Sequence, residues 1–192
     1  MAEWLIEQKI AVARIPDEQF DELKEYAMDA LEKGEPLEDH PYYSINTEDG
    51  SNAENIMPIP PKFSTWLLKE IHTLFERHKA EGGIYGIDDT TMQIAKMWVN
   101  RMKKGDQHQL HCHTFSMYSF SSYLDVQDND APFIFVNGDH VEPVYINDNS
   151  NKHLLIFPST LMHTVYRKTT DGERITASGN VVLNPFGVAV KP

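Results

Sequence analysis

Residues 153–184 read HLLIFPSTLMHTVYRKTTDGERITASGNVVLN. Short apolar runs near 153–157, 163–168 and 174–184 succeed one another here, each too short for a helix and rich in β-forming residues. The last run alternates cleanly. Ile175, Ala177, Gly179, Val181 and Leu183 fall on one face, and Arg174, Thr176, Ser178 and Asn180 on the other. A period of two is the signature of a strand. A polar face that carries an arginine and two hydroxyls can line a ligand cavity as readily as it can meet solvent.

The same texture extends upstream to Thr91, with further strands expected near 92–101, 110–113, 117–126, 132–137 and 142–146. Breaks fall at Lys103-Lys104-Gly105-Asp106, Asp128-Asn129-Asp130, Asn137-Gly138-Asp139 and Asn147-Asp148-Asn149-Ser150, and Asn137-Gly138 is a type I′ hairpin signal. Eight or so short strands at this spacing point to a jelly roll or barrel. The first half reads differently. Residues 4–13 (WLIEQKIAVA) form an expected lead-in strand, and Asp17 suits the N-cap of a helix carrying Phe20, Leu23, Ala27, Ala30 and Leu31 before Gly34. Residues 34–62, with prolines at 36, 41, 58, 60 and 61, read as a long arm. Loops of that length are often functional, and a lid over the cavity is the expectation. A second helix is expected from about Lys62 to Ala80, striped by Phe63, Trp66, Leu67, Ile71, Leu74, Phe75 and His78 and ended by Glu81-Gly82-Gly83. The expected organisation is a single domain over 1–192, with 1–90 as helical support and Pro-rich arm and 91–192 as the β core.

Composition narrows the function classes. At 41% hydrophobic and 24% charged the chain should bury a globular core. No apolar run approaches the roughly 18–20 residues of a membrane span. A net charge of −12 disfavours nonspecific nucleic-acid binding and docking on anionic lipid, although Asn100-Arg101-Met102-Lys103-Lys104 concentrates positive charge locally. The one cysteine, Cys112, allows neither an internal disulfide nor a Cys-rich zinc cage, and is expected to pack away from the histidines beside it. The N-terminal residues lack the basic and apolar regions of a signal peptide, so a cytosolic location is expected.

The chemistry is concentrated in His111-Cys112-His113, with His163 fifty residues on and Arg174 eleven beyond that. Two histidines two apart on a strand share a face, and a third from another strand can close a facial metal site. Imidazole suits Fe, Zn, Ni and Cu alike, so the trio does not name its metal. An arginine nearby could clamp an anion in bidentate fashion. The remaining histidines are weaker candidates. His72 and His78 read as packing or surface residues, and His40, His140 and His153 as loop or surface residues. His108 has a spacing to His111 that fits neither a strand nor a helix. Trp98 and Tyr123 read as core aromatics.

In these stretches the chain resembles the Fe(II)/2-oxoglutarate-dependent oxygenases, in particular those found in marine bacteria and T4-like cyanophages. The resemblance is carried by Trp98-Val-Asn100, His111-Cys-His113, Ser119-Phe-Ser-Ser-Tyr123-Leu124, the run from Leu155 through Phe157-Pro158-Ser159 to His163 and Val165, and Arg174-Ile-Thr176 with Asn180. It spans about residues 92–184. It implies an α+β, mainly β fold, a double-stranded β-helix (jelly roll) with supporting N-terminal helices. It implies a dioxygenase, most simply a hydroxylase, that couples oxidative decarboxylation of 2-oxoglutarate to oxidation of a substrate C–H bond. His111, His113 and His163 would ligate Fe(II). Arg174 would hold the distal carboxylate of 2-oxoglutarate, with a hydroxyl from Thr176 or Ser178 and support from Asn100. The segment before His111 is also similar in spacing to the AlkB-type members, where a tyrosine follows the asparagine; Met102 stands in that place here.

One departure from the family pattern bears on the metal. The usual motif is His-x-Asp/Glu…His, and His113 occupies the carboxylate position, as it commonly does in the marine and phage group. A water, or Asp125 or Asp106, could instead complete the shell. The other readings are a three-histidine cupin-like metalloenzyme that uses no 2-oxoglutarate, and a non-catalytic binding protein on the same fold. The expected partners are 2-oxoglutarate, O2 and a peptide or small-molecule substrate, with nucleic acid least favoured, no membrane, and a homodimer left open.

Overall fold

The computed structural model describes residues 3–6, 10–33, 45–46, 54–80 and 91–184. Strands β1 (Glu3–Ile6) and β2 (Ile10–Arg14) precede helix α1 (Asp17–Lys33), and β3 (Ile45–Asn46) and β4 (Glu54–Met57) precede α2 (Pro61–Ala80). Then come β5 (Thr91–Met102), β6 (Gln107–His111), β7 (Tyr118–Asp125), β8 (Asp130–Asn137), β9 (His140–Ile146), β10 (His153–Pro158), β11 (Met162–Val165) and β12 (Arg174–Asn184). They make a seven-stranded sheet ordered β1-β2-β10-β7-β12-β5-β4 and a five-stranded sheet ordered β3-β6-β11-β8-β9. All the pairings are antiparallel, and the two sheets face each other as the sandwich of a double-stranded β-helix.

Two apolar layers hold this arrangement. The alternation of β12 sorts its residues between them: Ala177 and Val181 face the helices, while Thr176 and Ser178 face the inside of the sandwich. Against the helix side pack Leu67, Ile71 and Phe75 of α2, Leu23 and Ala27 of α1, and Met97, Val99 and Phe120 of the sheet. Burying each of the larger side chains contributes about 1.5–3 kcal/mol. Gly179 belongs to this layer for a steric reason. A Cβ there would lie 2.6 Å from the Phe120 ring and 2.7 Å from the carbonyl oxygen of Lys96. The second layer lies between the sheets and contains Tyr123, Phe133, Phe135, Leu155, Phe157 and Val165.

The structure revises several boundaries. The single lead-in strand expected over 4–13 is two strands, β1 pairing antiparallel with β2, and residues 7–9 lie outside the described residues. Asp17 does not stand outside the helix as a cap. It lies in the first turn of α1, where its charge complements the helix dipole and its Oδ1 accepts a hydrogen bond from Lys152 Nζ at 2.9 Å. In the β8–β9 hairpin Asn137 pairs with His140, so the turn residues are Gly138 and Asp139. Only Gly138, at φ 63°, is left-handed, whereas a type I′ turn needs both. Most of the Pro-rich arm, the end of α2 at Glu81-Gly82-Gly83, and His40 lie outside the described residues. The described parts of the arm add an edge strand to each sheet, β3 beside β6 and β4 beside β5.

Candidate metal and anion site

Between the sheets runs a cleft lined by Glu54, Trp98, Asn100, His108, His111, His113, Phe133, Phe157, His163, Arg174, Thr176 and Ser178, among others. His111 is the last residue of β6 and stands in register opposite His163 on β11. His113 was expected to share a face with His111 by strand alternation, but β6 has ended by then. A backbone hydrogen bond from His113 N–H to the Ser159 carbonyl, 2.8 Å, ties the departing chain to the residue after Pro158. The turn then passes through Phe115 in a left-handed conformation (φ 69°). The Phe-Pro-Ser run thus helps to place a second histidine as well as leading to the third.

The three rings converge. Their centroids lie 4.3 Å (His111–His163), 5.1 Å (His111–His113) and 5.1 Å (His113–His163) apart. One nitrogen from each lies within 4.8 Å of the others, a grouping that could hold a metal ion. Two of the rings are oriented through their other nitrogen. His111 Nδ1–H donates to the Gln109 carbonyl at 2.7 Å and His163 Nδ1–H to the Leu161 carbonyl at 2.8 Å. That tautomer leaves each Nε2 lone pair for a metal, the outer-sphere arrangement common to ligating histidines. Phe133 stacks on His163 at 5.4 Å, and Phe157 meets the same ring edge-on at 4.8 Å. Burial pushes the His111 imidazole down to about 4, with the neighbouring His108 adding to the effect. Burial likewise holds His163 well below the usual imidazole range, reinforced by His111 and His113. Neutral imidazoles are the form a metal needs.

Arg174 begins β12 and is 1% exposed. Its Nη1 donates to the Ala131 carbonyl, and its guanidinium lies 5.4 Å from the centroid of the Tyr123 ring. Its Nε has no hydrogen-bond partner, and among the described residues no carboxylate pairs with it. A buried, unneutralised guanidinium opening on a cleft is a site for an anion. Beside it, Asn100 Nδ2 donates to Thr176 Oγ1 (3.3 Å) and Ser178 Oγ (3.4 Å), and Asn100 Oδ1 is buried without a partner. Asn100 and Thr176 are opposed in the β5–β12 register, which is why residues 76 apart in sequence meet. Arg174, Thr176, Asn100 and the three histidines therefore share one cleft.

Other expectations are corrected. Asp106 is not one of the converging group and does not line the cleft; its Oδ2 accepts from Lys103 N–H at 2.7 Å in the β5–β6 turn. Asp125, at the exposed end of β7, does not line the cleft. His108 is not one of the converging trio, yet it does line the cleft. The β6–β11 register explains this. His163 pairs with His111 and Val165 with His108, so three residues of β6 span two of β11, a bulge that turns His108 and His111 to the same side. Glu54 was not foreseen at all. It sits on β4, opposite Asn100 on β5, and accepts from His108 Nε2 at 3.0 Å. His78 is buried and bonds the Tyr118 hydroxyl at 2.7 Å, away from the trio, while His72 is exposed.

No protein-family model and no curated protein matches the sequence. Solved structures do match its fold. A prolyl-4-hydroxylase from Pseudomonas putida covers 90% of this chain and 91% of its own at 15% identity and a TM-score of 0.59. The viral collagen prolyl hydroxylase of Paramecium bursaria Chlorella virus-1, in complex with 2-oxoglutarate, covers 91% and 96% at 16% identity and a TM-score of 0.58. HygX from Streptomyces hygroscopicus, with nickel, 2-oxoglutarate and hygromycin B bound, covers 91% and 83% at 12% identity and a TM-score of 0.55. At these identities the likeness is one of fold, the double-stranded β-helix of the Fe(II)/2-oxoglutarate oxygenases.

Proposed function

We propose that the chain is an Fe(II)- and 2-oxoglutarate-dependent oxygenase, most simply a hydroxylase, with His111, His113 and His163 as metal ligands and Arg174 as the anchor of 2-oxoglutarate. The observation that carries this reading is the pairing, in one cleft, of a convergent imidazole trio with a buried arginine that has no carboxylate partner among the described residues. Neighbours of the same fold bind 2-oxoglutarate, one of them together with nickel. When bound, metal and 2-oxoglutarate supply oxidative decarboxylation coupled to oxidation of a substrate C–H bond.

The protein's own part is binding, orientation and exclusion of water. Gln109 and Leu161 accept the Nδ1 protons of His111 and His163, which puts the lone pair of each ring on Nε2, the atom that would ligate the metal. Arg174 would hold a carboxylate of 2-oxoglutarate with the part of its guanidinium that does not donate to the Ala131 carbonyl, and Thr176 would add a hydroxyl donor. Asn100 fixes the Thr176 hydroxyl and offers its own unpartnered Oδ1 to the cleft. Phe133, Phe157 and Trp98 make the walls apolar and keep the charged groups dry.

Anaerobic addition of Fe(II) and 2-oxoglutarate tests the reading through the visible absorption band of their complex. Arg174→Ala should abolish 2-oxoglutarate turnover and weaken 2-oxoglutarate binding at least about 100-fold, the scale expected when a buried charged hydrogen-bond partner is removed. The all-imidazole trio favours a second reading, a metalloenzyme that needs no 2-oxoglutarate. That reading gains if the protein binds metal but the band fails to appear and Arg174→Ala changes nothing.

A further inference from the structure

Three neutral imidazoles bring no negative charge to a divalent ion, whereas the His-x-Asp/Glu pattern brings one. Among the described residues that line the cleft, only one is an acid. Glu54 is 2% exposed and comes from β4, the edge strand of the larger sheet, while its partner His108 comes from β6 of the smaller one. Their 3.0 Å contact therefore crosses from sheet to sheet. The β6 bulge aims His108 into the cleft, and the Thr164 hydroxyl donates to the His108 carbonyl at the same place. The His108 ring then stands edge-on to His111, centroids 5.3 Å apart at 76°.

Burying a carboxylate in a cleft whose walls include Trp98, Phe133 and Phe157 is costly unless positive charge or donors offset it. A carboxylate fixed on His108, whose ring in turn meets His111, sets negative charge close enough to favour a dication bound to that trio.

We propose that Glu54, held in place by His108, is an outer carboxylate of the metal centre, and that it restores at one remove the negative charge lost where His113 replaces an acid. This rests on the reading of His111, His113 and His163 as metal ligands. Glu54 lies outside the ligand grouping, so its part is to balance charge and position His111 through His108.

The test is calorimetric titration of Mn(II) alone into the full, metal-free chain, with the visible spectrum of bound Co(II) as a second readout. Glu54→Gln keeps the shape and an acceptor for His108 but removes the charge. It should weaken Mn(II) binding about 10–100-fold, as loss of an outer-sphere partner does, and shift the Co(II) bands. Glu54→Asp should recover part of the affinity. Far-UV circular dichroism reports whether the variants fold. If Glu54→Gln does not fold, His108→Asn carries the test, and Mn(II) affinity equal to the wild type then overturns the proposal. Wild-type affinity in a folded Glu54→Gln also overturns it, including when His108→Asn alone weakens binding, because His108 would then act as a brace only. A wild-type chain that takes up neither Mn(II) nor Co(II) instead removes the ligand assignment on which the proposal stands.

Discussion

At the scale of single residues, the decisive groups are imidazoles that burial keeps neutral. His111 is held at about 4 in the folded chain against about 6.5 for a free imidazole, and His163 is also lowered. The sign of the pH effect follows. Between about pH 6.5 and 4 the unfolded chain takes up protons that the folded one refuses, so the stability present above pH 6.5 is lost as pH falls through that window. The metal-free protein should therefore show a falling Tm from pH 7 to pH 4.5, measured by thermal denaturation, and bound metal should steepen the fall because protons compete for its ligands. Much of this site was legible in the sequence. Arg174 and Thr176 could be read from the alternation of β12, His111 and His163 from the spacing of the histidines, and Asn100 only from the family resemblance. His113 was chosen for an incorrect reason, since a tether to Ser159 rather than strand alternation brings it in. Glu54 could not be read at all. Its place depends on pairing with Asn100 across 46 positions of sequence, and no local pattern marks that pairing.

At the scale of elements, a strand can be read from the sequence where its apolar content is high and is missed where the strand is polar. The spans of β5, β7, β8, β10 and β12 follow their apolar runs closely. β6 does not, since it is polar (Gln107-His108-Gln109) and carries an extra residue, which is why the His108–His111 spacing looked uninterpretable. β12 is the element most constrained by its neighbours, because it is paired along both edges and pressed on its helix side by Phe120. Gly179→Ala should destabilise the fold by about 1–3 kcal/mol, the cost of overpacking a site where backbone cannot yield. Urea denaturation measures this as a lower midpoint at unchanged m. The strain would fall on the strand that also carries Arg174 and Thr176.

For the whole molecule, the helices support the sheet from the side opposite the cleft, so stability and site can be separated. Phe63 of α2 is fully buried and packs 5.9 Å from Phe120, whose strand faces the cleft on its other side. Phe63→Ala should cost about 3–5 kcal/mol of stability yet leave Mn(II) affinity of the folded protein within about threefold of wild type. Denaturation and calorimetry on the same variant decide it. The mainly β architecture and the two supporting helices were legible from periodicity alone. The closing of the sheet edges by β3 and β4 was not, because turn-rich sequence around a two- and a four-residue strand reads as loop. No described helix is long and apolar enough to cross a membrane. The strand order also sets a timetable for biosynthesis. β2 joins the main body of its sheet only through β10, and β5 meets its long partner only when β12 exists, so in a nascent chain the β1–β2 pair waits for β10, and β5 has only the short β4 beside it until β12 emerges. The last long strand to emerge brings Arg174 with it, so sheet completion and anion-site completion are the same late event.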